Sequence, residues 1–129
     1  MKIPFAKPQI NNKEIKNVFE TLKTGIFVHG NKTTKFEEKL YNFIGSKNSF
    51  VSTTGSCTAA MHLFYFAKKI KKNDEIILPA QSHVATAHAI ELAGGKPIFV
   101  DSNSTDGNID INKIEKKISK KTVGICVTH

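Results

Sequence analysis

The junction Thr53-Thr54-Gly55-Ser56-Cys57-Thr58-Ala59-Ala60 is the part of this 129-residue chain best suited to hold an anion. It passes from a predicted strand into a predicted helix through one glycine, and it is dense in small hydroxyl residues. A helix start offers unpaired backbone N–H groups and the positive end of the helix dipole, which together bind phosphate. Ser56 and Thr58 add hydroxyl donors, and the small side chains let a ligand reach the backbone. An ordinary helix cap is the alternative reading, since Ser and Thr are common at that position. The segment is not a Walker A loop, because no Gly-Lys-Ser/Thr follows. It also lacks the Gly-x-Gly-x-x-Gly of a dinucleotide site.

Pro79-Ala80-Gln81-Ser82-His83-Val84-Ala85-Thr86 is a second candidate, again just after a predicted strand. The His83 imidazole could stack on a flat ring or act as a base, or could simply cap the helix that follows. His88 is five residues on, about 140° around a helix, so the two histidines do not form a helical metal pair. Cys57 at a helix start could have a lowered thiol pKa and act as a nucleophile. It would then need a partner among His62, His83, His88 and His129. The simpler reading is a small residue shaping the turn. Cys126 falls in an apolar strand and reads as core. Asp101 ends a strand and either partners a cation or starts the next turn. His29 lies in a glycine-flanked loop.

These residues need elements to position them. Ile15, Val18, Phe19 and Leu22 give a helix over 12–24, capped by Asn11 or Asn12 and ended by Gly25. Thr34-Lys35-Phe36-Glu37 fits a capping box opening a second helix that stops at Gly45. The pattern then alternates. Strands are predicted at 50–53, 75–78, 98–100 and 123–127, and helices at 57–70, 82–93 and 110–120. Such alternation implies crossover connections and a mostly parallel sheet covered on both faces. Residues 1–46 read as a helical segment packing outside that layer, and 47–129 as the layer itself.

Composition narrows the class. Hydrophobic residues make up 40% and charged residues 23%, an ordinary globular balance. No run approaches the ~18 apolar residues of a membrane span. No signal peptide is read at the start, so a cytoplasmic protein is expected. All 19 basic residues are Lys, giving a formal net charge of +8. Base readout and bidentate phosphate grip usually use Arg, so no nucleic-acid partner is expected. Two cysteines are too few for a disulfide framework.

Taken in order, the segments resemble the DegT/DnrJ/StrS-type sugar aminotransferases. The resemblance rests on Ile3-Pro4, His29-Gly30 with Phe36-Glu37, Ser56-Cys57-Thr58-Ala59-Ala60-Met61, and Asp74 through Ala80. It continues through Val84-Ala85-Thr86, Gly94 through Asp101, the turn Thr105 through Asp110, and Val127-Thr128-His129. It implies the aspartate aminotransferase-like α/β large domain, here incomplete, and pyridoxal phosphate (PLP) as cofactor. Thr58 and Ala59 would then hold the cofactor phosphate, and His83 would lie against its ring. The substrate would be a nucleotide-linked keto sugar, the amino donor glutamate, and the parent assembly a homodimer.

The resemblance also implies a Schiff-base Lys and an Asp for the pyridinium nitrogen, both beyond the last predicted strand. Neither is present in this sequence, so the chain alone is expected to be inactive, with no catalytic residue of its own. A chain that stops directly after a strand reads as the first third of an enzyme. The alternatives are a non-catalytic remnant that associates with a full-length paralogue and a Cys57 thiol enzyme. No metal site is expected.

Overall fold

Ile76, Ile77 and Leu78 leave almost no surface exposed. Successive strand side chains point to opposite faces, so a strand buried at consecutive positions must be covered on both sides. Strand β1 (Glu75–Pro79) meets that demand at the centre of a three-stranded sheet ordered β2-β1-β3, with β2 at Lys96–Val100 and β3 at Thr122–Ile125. Both pairings are parallel. The computed structural model describes residues 3–45 and 47–128. They divide into two compact units, one running through Thr53 and one starting at Thr54.

In the second unit, helices α3 (Cys57–Ala67) and α4 (Val84–Leu92) cover one face of the sheet. Tyr65 from α3 and Ala89 and Ile90 from α4 pack there with Ile76 and Leu78. The opposite face carries Ile77, Val100 and Ile109, with Ile114 of the short helix α5 (Ile111–Ile114) against them. Helices therefore lie on both faces, as the alternating pattern implied. The return from α4 to β2 is tight. Gly94 has φ +93°, and a Cβ on Gly95 would stand 2.9 Å from Ile70 Cγ2 and 3.0 Å from Ile90 Cγ2.

Three expectations are corrected. Residues 50–53 form no strand among the described residues. A strand needs a partner ladder, and here the Thr53 N–H goes instead to Glu37 Oε1 at 2.7 Å, with the Thr53 hydroxyl on the same oxygen at 2.9 Å. The second helix, α2 (Asn31–Ile44), begins a turn earlier than Thr34, with Gly30 as its N-cap. Glu37 is thus not a capping-box partner. The box that does form is at α1 (Asn12–Thr24), between Asn11 and Glu14. The predicted helix at 110–120 is cut to α5 and one 3-10 turn, Glu115–Lys117.

The first unit contains α1 and α2, and neither helix has a buried residue. Their apolar stripes, Ile15, Val18, Phe19 and Leu22 on α1 and Phe36, Phe43 and Ile44 on α2, are exposed. The Thr53 donors hold the Glu37 carboxyl below the usual carboxylate range, and His29 adds a weaker attraction.

Ile90→Ala is expected to lower stability by about 2–5 kcal/mol in urea unfolding, as for other fully buried aliphatic truncations. Phe43→Ala, at a side chain 87% exposed, is expected to change it by no more than about 0.5 kcal/mol. A depressed carboxyl pKa means that the ionised, hydrogen-bonded form is present above the ordinary Glu range and is lost as pH falls through the lowered value. The Thr53 amide proton shift should therefore titrate with a midpoint below that of a free Glu side chain and should stop titrating in Glu37→Ala. A midpoint at or above the ordinary value would contradict the pairing.

Candidate functional site

Chain direction places two helix starts on one side of the sheet. β1 runs to Pro79 and α4 starts at Val84, so α4 opens at the carboxyl edge of the strands. α3 runs back toward Ile70 and Asp74, which lie at the amino end of β1, so its start is also at the carboxyl edge. In open α/β sheets this edge is where ligands bind.

At α3, Ser56 is the N-cap, and its Oγ accepts the Ala59 N–H at 3.1 Å. The Thr54 hydroxyl donates to the Ser56 carbonyl at 2.9 Å, closing the turn. Among the described residues, the Cys57 and Thr58 amides and the Thr58 hydroxyl have no hydrogen-bond partner. The two predicted phosphate-binding residues thus differ. Thr58 is half-buried with free donors, whereas the Ala59 N–H is already committed to Ser56. No acidic residue occupies the first turn of α3 to oppose an anion. A Cβ at Gly55 would meet nothing within 4 Å, so the chain's own packing does not require that glycine.

His83 is the N-cap of α4, and its Nδ1 accepts the Ala85 N–H at 3.1 Å. A side chain that accepts at Nδ1 carries its proton on Nε2 when neutral, and its ring plane is fixed by the helix it caps. The capping and ring-contact readings of the sequence are therefore compatible, because the bond uses one ring edge and leaves the exposed ring's faces open.

The other candidates separate from this edge or pair locally. Asp101 Oδ1 accepts the Ser102 N–H, and its Oδ2 takes Lys113 Nζ at 3.1 Å. Lys113, then the Ser102 N–H, hold the Asp101 carboxyl below its usual range, and Asp101 and Asp110 raise Lys113 in turn. Asp101 is thus a turn residue with a cation partner. Cys57 is exposed, and no described histidine is hydrogen-bonded to it; His129 lies outside the described residues. Cys126, one residue past the end of β3, lies against the core as expected, although the strand predicted at 123–127 ends at Ile125. It sits beside Tyr65, whose phenol is pushed up by burial and further by the thiol. No group of three or more metal-ligating side chains occurs among the described residues. No helix there is long and apolar enough to cross a membrane.

A cleft of about 790 Å³ contains none of the three predicted site residues. It is an apolar trough between α3 and β3, lined by Met61, Phe64, Val123, Ile125 and Val127 among others. Its lining offers few polar groups to orient a ligand, so the edge with the two helix starts is the better candidate. Sequence reasoning missed the Ser82 hydroxyl as a linking group. The signal available was the hydroxyl pair Ser82 and Thr86, spaced four apart across a helix start.

The chain is similar to known proteins along nearly its whole length. The chain is 39% identical over 127 residues to the uncharacterized protein MJ1066 of Methanocaldococcus jannaschii, covering 98% of this chain and 32% of that protein. It is 35% identical to the GDP-perosamine synthase of Escherichia coli O157:H7, covering 98% of this chain and 35% of the enzyme. Its structure superposes on the E. coli GDP-4-keto-6-deoxy-D-mannose-3-dehydratase with bound hydrated PLP at a TM-score of 0.83 and 26% identity, covering 96% of this chain and 33% of that one. The chain thus spans about a third of the length of these relatives. The sequence profile of the DegT/DnrJ/EryC1/StrS aminotransferase family matches residues 8–129, and the chain belongs to that family.

Proposed function

We propose that this chain is the N-terminal part of a PLP-dependent aminotransferase acting on nucleotide-linked keto sugars, in amino-sugar and surface-polysaccharide biosynthesis. The observation that carries the reading is the start of α3, where unpartnered amides and the Thr58 hydroxyl face an uncrowded glycine turn. The donor set fits a phosphate monoester, which prefers backbone N–H groups at the positive end of a helix.

Thr58 would hold the phosphate through its amide and hydroxyl. Ala59 would contribute chiefly by having no bulk, since its own N–H caps back to Ser56. His83 would present a ring face to the planar cofactor, at an angle set by its bond to Ala85. When bound, PLP supplies the electron sink that amino-group transfer requires. Residues 47–129 would be the first part of the cofactor-binding layer, and 1–46 a helical segment attached to it. The nucleotide-sugar relatives support the substrate class. Glutamate as donor, a homodimeric parent and a cytoplasmic setting belong to the same reading.

Among the described residues every Lys is exposed, so none has the apolar setting a Schiff-base Lys needs and the chain alone should not transaminate. The alternative is a remnant whose only role is to associate with a full-length relative. Recovery of such a relative with the chain from its native cell would favour that alternative.

Titration with PLP should shift the Cys57, Thr58 and Ala59 amide resonances ahead of all others. Thr58→Val should weaken that binding roughly tenfold, about 1.4 kcal/mol for one charged hydrogen bond. Shifts confined to other residues would remove the phosphate assignment. Borohydride treatment of the chain with PLP should give no stoichiometric phosphopyridoxyl-lysine at a single site, and a single fully labelled Lys would refute the inactivity.

A further inference from the structure

The loop that carries His83 is held from two sides. Its Ser82 Oγ lies 3.2 Å from Thr86 Oγ1 in the first turn of α4 and 3.3 Å from Thr128 Oγ1, just past the end of β3. Thr86 is the buried polar side chain of the described core, only 7% exposed. A buried hydroxyl needs a partner, and Ser82 is the one it has. One hydroxyl can donate to one neighbour and accept from the other, so Ser82 can satisfy both bonds together.

On the other side, Gln81 lies against the turn that follows β2. A Cβ on Gly107 would stand 3.5 Å from Gln81 Oε1, and Gly107 itself has φ +76°. The Ala80 N–H donates to the Val100 carbonyl at 2.8 Å. Residues 80–82 are thus tied to the ends of both neighbouring strands, and His83 is the next residue.

We infer that Ser82 is a positioning residue for the His83 ring, acting through its hydroxyl links to Thr86 and Thr128. The role of the ring rests on the cofactor reading above, whereas the manner in which it is held rests on this geometry alone. With Ser82 linked at both sides, the backbone between Gln81 and Val84 has little freedom. The imidazole then meets an incoming planar ring already oriented, and no binding energy is spent in ordering it.

The test compares the full chain with Ser82→Ala, Ser82→Thr and Thr128→Val, without cofactor and then with PLP. Two readouts are followed: hydrogen exchange of the Ala85 amide, and the His83 tautomer from long-range 15N–1H correlation. Ser82→Ala should speed Ala85 exchange about tenfold, the loss expected for one hydrogen bond of ordinary strength. It should also mix the tautomers, while Ser82→Thr restores both readings. Thr128→Val should move them in the same direction by less, which keeps the test decisive if Ser82→Ala does not fold. Unchanged Ala85 exchange and tautomer in both Ser82→Ala and Thr128→Val would overturn the inference, as would failure of Ser82→Thr to restore them. If PLP leaves the wild-type His83 ring protons unshifted while the variants still loosen the ring, the positioning stands and the cofactor reading falls.

Discussion

The parallel pairing of β1 on both edges is the constraint on which the second unit depends. β1 receives the Cys126 N–H on its Ile77 carbonyl at 2.7 Å from one side and pairs with β2 along its full length on the other. Its side chains fill the cores of both faces. A strand fixed in this way leaves its carboxyl end with one direction to go, and the helix that returns must open beside it. The position of His83 follows from that geometry before any local hydrogen bond is considered.

Small side chains complete what the sheet begins. Ser56 closes the start of α3, His83 closes the start of α4, and Asp110 caps α5 by accepting the Asn112 N–H at 3.0 Å. Each removes one orphan donor from a helix start. At α3 the cap is partial, since two amides stay free, and that incompleteness is the chemically interesting property. At α4 the cap is a ring, so the group that finishes the helix also offers a flat surface. The same local requirement is thus met by two residues with different chemical reach.

Much of this was legible in the sequence. The period-3.6 stripe of Ile15, Val18, Phe19 and Leu22 and the glycines after α1 and α2 gave those helices with near-correct limits. The apolar runs at Ile76-Ile77-Leu78 and Ile98-Phe99-Val100 marked β1 and β2, and the run in β1 has the composition of a strand covered on both faces. Phe50-Val51-Ser52-Thr53 carries the same local signal without forming a strand, because pairing is a property of the partner and is not encoded in the segment itself. The capping box at Thr34 failed for a related reason: Glu37 had a better offer from Thr53, sixteen residues away. The free amides at Cys57 and Thr58 were readable as a class from the small hydroxyl run. The link from Ser82 to Thr128 spans forty-six residues and exists only once the strands are side by side.

β3 pairs with β1 along one side, and among the described residues no strand lies on its other side. Val123 and Ile125 on it, and Val127 just past it, are each about half exposed. A short apolar ribbon with open amides and carbonyls is a template for intermolecular zippering. Crowding such molecules together shortens the time each spends alone in water. The rim of β3 is therefore an edge at which isolated copies can pair, and a single charged substitution on Val123 would oppose that pairing.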